Sequence, residues 1–121
     1  MTWTPISLDE ILKLIHDTET DLEGDLLNFW KLIKIHPEKW TEMSYGQEGN
    51  GFWVVGLIGR TIVWYNDIEE GFNISDYKTY GEFDEYFCNQ DKLAWTLVKL
   101  FDSVKLGTKQ FRRLGPPTNL E

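Results

Sequence analysis

The chain has 121 residues, 41% hydrophobic and 26% charged, with a formal net charge of -8; this fits one globular domain and argues against wholesale disorder or a second core. A single cysteine, Cys88, excludes an internal disulfide framework and suits a reducing compartment. No apolar run reaches membrane-spanning length and Met1 to Leu8 lacks the regions of a signal peptide, so a cytoplasmic location away from membranes is expected.

The acids are grouped. Asp9 to Asp25 holds seven acids against Lys13 alone, Asp67 to Asp91 holds eight against Lys78, and Lys92 to Arg113 reverses the sign with six bases against Asp102. Net acidity disfavours nucleic acid, whose phosphates call for Lys and Arg. A basic protein is the expected partner, although acid also serves simply to keep a protein soluble.

In chain order, ISLDEI (Ile6 to Ile11) predicts a helix start: Ser7 caps the Glu10 amide, Glu10 reaches back, and Ile6 is spaced to pack on Ile11. Leu8, Ile11, Leu12, Ile15 and Leu22 define its core stripe. Thr20 and Glu23 repeat the capping spacing, and Leu22, Leu26, Phe29, Trp30 and Ile33 predict a second helix. It should stop near Ile35, because Pro37 turns His36 away from helical backbone. EKWTEM, Glu38 to Met43, reads as a short edge strand, and Ser44 to Gly51 as a glycine-loosened loop.

GFWVVGLIGRTIVWYND, Gly51 to Asp67, predicts a hairpin with Gly59 leading a two-residue type II′ turn. Counting back from that turn pairs Ile58 with Thr61, Leu57 with Ile62, Val55 with Trp64, Val54 with Tyr65 and Trp53 with Asn66. Alternation then sets Trp53, Val55, Leu57, Ile62 and Trp64 on one face. Phe52, Val54, Ile58, Val63 and Tyr65 take the other, where Gly56 opposite Val63 leaves a dent. Both faces are apolar, so both should be covered: helices on the face with two indoles, and a partner on the other.

GFNIS, Gly71 to Ser75, predicts a further strand, and Glu82 to Cys88 fits a strand or a helical turn. Asn89 then caps a third helix, with Asp91 in its first turn and a stripe of Leu93, Leu97, Leu100, Phe101 and Val104, ending near Lys105 or Gly107. The expected architecture is α+β: an antiparallel sheet of three to five strands, two N-terminal helices and one C-terminal helix, in the order ααβββ(β)α. One domain spans 1–107. Residues 108–121 read as a flexible basic tail, and Leu120-Glu121 is compatible with a cloning scar.

Chemical motifs are sparse. NDIEEG, aligned as a calcium loop, puts Ile68 and Tyr77 where oxygen ligands are required. His16 and His36 lack metal-ligand spacing. Cys88, next to Tyr86 and Phe87, reads as a buried small hydrophobe rather than a nucleophile. NIS at Asn73 matches a glycosylation acceptor, without consequence for a chain that is not secreted. No cofactor, metal or catalytic residue is expected. The constellation that remains is WYNDIEEGFN, Trp64 to Asn73, an aromatic strand end running into a tight acidic loop. Asn66 and Asp67 suit bracing that loop. Tyr65, Asp67, Glu69, Glu70 and Phe72 suit a protein-binding patch, an aromatic anchor with an acidic rim.

The segments FWVV, WYNDIEEGF and CNQ resemble signatures shared by a set of small bacterial proteins, over about half the chain. More loosely, the size, acidity and α+β layout are similar to immunity proteins, which neutralise bacterial toxins by masking basic surfaces. The resemblance implies a non-enzymatic protein-binding module. Two other readings stand beside it: a small-molecule site or enzyme in the Gly56 dent near Val54, Val63 and Tyr65, and a homo-oligomer joined through Phe52, Val54 and Tyr65.

Overall fold

The computed structural model describes residues 4–44 and 51–107. The predicted tail 108–121 lies outside them, as does most of the loop predicted between Ser44 and Gly51. Helix α1 (Leu8–Glu19) opens with the expected capping box: Ser7 Oγ accepts from the Glu10 amide at 3.1 Å, and Glu10 Oε1 accepts from the Ser7 amide at 3.0 Å. Ile11 and Ile15 are buried, whereas Leu12, predicted in the same stripe, is 37% exposed. Thr20 closes α1 rather than opening the next helix. Helix α2 (Gly24–Ile33) starts after Glu23 without a side-chain cap and buries Phe29, Trp30 and Ile33.

The chain passes from Ile33 straight into strand β1 (Lys34–Glu42), longer than the strand predicted at Glu38 to Met43. Pro37 is tolerated because pairing with the next strand is irregular between Lys34 and Glu38, so its missing N–H interrupts no regular ladder. Strands β2 (Phe52–Ile58), β3 (Thr61–Asn66), β4 (Gly71–Asp76) and β5 (Glu82–Phe83) complete a sheet of order β4-β3-β2-β1-β5. β1 is therefore not at the edge. It runs parallel to β5, Thr41 beside Glu82 and Glu42 beside Phe83, so the sheet is mixed and not wholly antiparallel. Helix α3 (Leu93–Leu106) completes the α+β order and stops at Gly107, whose φ of 70 suits a left-handed cap. It begins after Lys92, beyond the predicted cap Asn89, which is bonded to Asn73 instead.

The hairpin turn is the expected one: Gly59 has φ 59 while Arg60 keeps a negative φ, as in type II′. Register follows prediction from Ile58–Thr61 through Gly56–Val63 and then slips, so that Val54 faces Trp64 and Trp53 faces Tyr65. Val55 is the extra residue of a bulge, and one extra residue turns over everything upstream in its strand. Each predicted face is split as a result. Trp53 and Val55 join Ile58, Val63 and Tyr65 beneath the helices, while Phe52 and Val54 join Leu57, Ile62 and Trp64 on the opposite side. The two tryptophans stand on opposite faces. The expected dent at Gly56 is filled, since a Cβ there would meet the Trp30 ring at 3.3 Å and Ile33 Cδ1 at 3.5 Å. No ligand space remains at that point.

The second face is covered by the chain itself. Leaving β5, residues 84–91 cross to the outer side of β4, where the Phe72 amide bonds Asp91 O at 2.9 Å. Phe83 and Tyr86 lie against Trp64, with ring centroids 4.9 and 6.0 Å away, and Tyr86 reaches Phe52 at 6.2 Å. This strap has little regular structure, so sheet side chains satisfy its backbone. Asn66 Nδ2 donates to Phe87 O (3.0 Å), Ser75 Oγ to Glu85 O (2.6 Å), and Asn73 exchanges bonds of 3.1 and 2.9 Å with Asn89. Gly71 permits the close approach: a Cβ there would fall 2.3 Å from Asn89 O and Gln90 Cα. Phe52 and Val54 are completely buried under this cover, so the face expected to receive a partner or a second copy is closed.

Candidate protein-binding site

Lys39, Trp53, Tyr65 and Phe72 form one row across β1, β2, β3 and β4, each in register with the next. Cross-strand neighbours share a face, and they touch. Lys39 Nζ lies 5.0 Å above the Trp53 ring, and the Tyr65 and Phe72 centroids are 4.8 Å apart. Burial lowers the Lys39 ammonium from its usual range, while the Asp67 charge opposes that shift.

The row is tied to the lead-in of α1 through one residue, Ile6. Trp53 Nε1 donates to Ile6 O at 2.8 Å, and the Ile6 amide donates to Asp67 Oδ2 at 2.8 Å. Asn66 braces its own loop as expected, its Oδ1 accepting from the amides of Ile68 (3.0 Å) and Glu69 (3.2 Å). Asp67, expected to do the same, reaches the α1 lead-in instead. Glu70 ends the turn with φ 61, an uncommon left-handed backbone for a non-glycine residue.

Tyr65 is half-buried. Its hydroxyl is pushed above the usual phenol range by burial first, and then by the carboxylates of Glu70, Asp67 and Glu10. The charges of carboxylates from the β3–β4 turn and from α1 thus bear on one phenol. Of the five predicted residues, Tyr65, Asp67 and Glu70 are brought together. Glu69 is half-buried with its amide held by Asn66. Phe72 is only 4% exposed, so it forms a floor and not a protruding anchor.

That floor continues into an open cleft of about 320 Å³ between α1 and α3, lined by Leu14, Phe72, Leu93 and Ala94 together with Asp17, Asp21 and Lys92. Sequence reasoning missed this part. The available signal was Leu14, an apolar residue off the predicted stripe and between exposed acids of α1. The whole arrangement, carboxylates over aromatic and aliphatic surface, suits a cationic side chain with an apolar neighbour.

Elsewhere, Cys88 is exposed, contrary to its expected burial, because the strap turns Tyr86 toward the sheet and leaves the thiol outside. Among the described residues no group of three or more His, Cys, Asp and Glu is placed to hold a metal ion, and no helix is long and apolar enough to cross a membrane. No family model, curated protein or solved structure matches the chain.

Proposed function

We propose that the protein is a non-enzymatic, cytoplasmic protein-binding module that docks a basic segment of a partner protein across Tyr65 and the α1–α3 cleft. The observation that carries this reading is the cleft lined by the exposed Asp17 and Asp21 and floored by Phe72, whose ring packs on the half-buried Tyr65, a phenol pushed up by burial and by the charges of Glu70, Asp67 and Glu10. Exposed carboxylates steer a basic partner and select its register, while Tyr65 and the cleft floor supply apolar contact. Neutralising a bacterial toxin by masking a basic surface is the specific role that agrees with this chemistry and with the resemblance to immunity proteins.

The test is selection of a phage-displayed random peptide library on the full chain. Enriched peptides are expected to carry Lys or Arg beside a large apolar residue. Their affinity should fall at least tenfold for Asp17→Lys/Asp21→Lys and for Glu70→Lys, and hold for Asp84→Lys on the strap. Absence of enrichment, or equal loss in all three variants, overturns the reading.

A further inference from the structure

Beside the other flank of α1 lies a second concavity with the opposite electrostatic character. An open groove of about 470 Å³ runs between the C-terminal ends of α1 and α2 and the start of β1, with Leu12, Ile35 and Pro37 as its apolar floor. The topology brings His16 and His36 to this one groove, together with Lys31 and Lys34. The carboxylate among its lining residues is already engaged: Glu19 Oε2 accepts from Trp30 Nε1 at 2.7 Å and from Lys34 Nζ at 2.6 Å. Burial pushes the Glu19 carboxyl up, but hydrogen bonds from Lys34 and Trp30, with the charges of Lys34 and His16, hold it below its usual range.

The side chains of Lys31, His16 and His36 enter no hydrogen bond or ion pair among the described residues. Cations in the last turn of a helix ordinarily offset its negative end, and His16 and Lys31 occupy such positions. That account covers neither His36, which β1 contributes, nor the 37% exposure of Leu12 within the groove. Three basic side chains without a hydrogen bond or ion pair among the described residues, beside the exposed Leu12 and the half-buried Ile35, form a local exception in a chain with 20 acids and 12 Lys and Arg.

We propose that this groove binds a small organic anion, with a carboxylate or phosphate head held by Lys31 and the two imidazoles and an apolar body resting on Leu12, Ile35 and Pro37. The volume is in the range of small-molecule sites, on the order of 300–1,000 Å³. This site is separate from the acidic surface, and either can fail without the other.

Octanoate and octyl phosphate are the probes, followed by calorimetry and by amide NMR shifts of the full chain, with octylamine and inorganic phosphate as controls. At least one alkyl anion should bind saturably, with shifts centred on Leu12, His16, Lys31 and His36. Comparing the two probes distinguishes a carboxylate from a phosphate head. Affinity should fall at least tenfold in Lys31→Gln/His36→Gln, whose sites are exposed, and also in Leu12→Gln, with thermal midpoints confirming that both variants fold. The proposal is overturned by no saturable binding, by octylamine binding as tightly, by inorganic phosphate matching octyl phosphate, or by undiminished affinity in the variants.

Discussion

Asp67 Oδ2 accepts a 2.8 Å hydrogen bond from the Ile6 amide, joining the β3–β4 turn to the start of α1 across 61 residues of chain. The carbonyl of the same residue, in the next peptide group, accepts from Trp53 Nε1. Asp67→Ala should lower the unfolding free energy by about 1–3 kcal/mol, the usual cost of leaving a partly buried donor unpaired. Trp53→Phe removes the other restraint and part of the packing. In urea titrations the two losses should not add, because both bonds restrain Ile6 and each substitution loosens the residue that the other bond holds. Strict additivity would show that the two bonds act separately.

Lys99 and Asp91 form an ion pair of 2.5 Å with side chains 3% and 1% exposed. Burying both charges is costly, and Asp91 Oδ1 finds no hydrogen-bond partner among the described residues. Lys99→Met strands a carboxylate in the core and should cost about 3–5 kcal/mol. Lys99→Met/Asp91→Asn leaves no charge buried there and should be the more stable of the two variants. Urea midpoints compare them directly, and a double variant weaker than the single one would contradict the charge argument.

The parts of this fold written in local patterns were legible. Ser7 and Glu10 announce α1 within one turn of chain, Gly59 sets the hairpin turn, and the Leu93–Leu97–Leu100 spacing marks α3. The bulge at Val55 was not. FWVVGLI is apolar at every position except its glycine, so no polar residue betrays the slip. The slip shows only in the packing, where Trp53 and Val55 join the cluster beneath the helices and Phe52 and Val54 the one beneath the strap. The strap was equally hidden, because its bonds run to Asn66, Asn73 and Ser75, at separations of 21, 16 and 10 residues, and leave no period in its own sequence. At the candidate site, the acids and Tyr65 stood out, whereas Phe72 on the inner side of its strand and the α1–α3 cleft required the three-dimensional packing.

Ser75 joins the sheet to the strap through one hydroxyl. Its hydroxyl accepts from Trp64 Nε1 at 2.9 Å and donates to Glu85 O at 2.6 Å. Ser75→Ala leaves a buried indole N–H and a strap carbonyl unpaired, with an expected cost of about 2–4 kcal/mol. Its location should show in hydrogen exchange: the Asp76 amide, bonded to Glu85 Oε1 at 2.8 Å, and the Asn89 amide, bonded to Asn73, should lose protection before amides of β2 and β3. Uniform loss across the sheet would mean that the strap and sheet open together.

Glu19 makes stability depend on pH in a direction fixed by its partners. Its carboxyl is raised by burial yet held below the usual range overall by Lys34 and Trp30. A group whose folded value is depressed stabilises fully above its unfolded value, about 4.3 for Glu, and that contribution is lost as pH falls through the lower folded value. Glu19→Gln should therefore be less stable than the parent at pH 7, and the gap in urea midpoints should close under acid. The two donors can be separated by salt. The Lys34 side chain is 43% exposed, so its charge is screened as ionic strength rises, whereas the Trp30 hydrogen bond is not. Lys34→Gln should consequently flatten the salt dependence of that gap, and Trp30→Phe should leave it intact on a lower baseline. A gap that persists unchanged at low pH would place the effect of Glu19 in packing and not in charge.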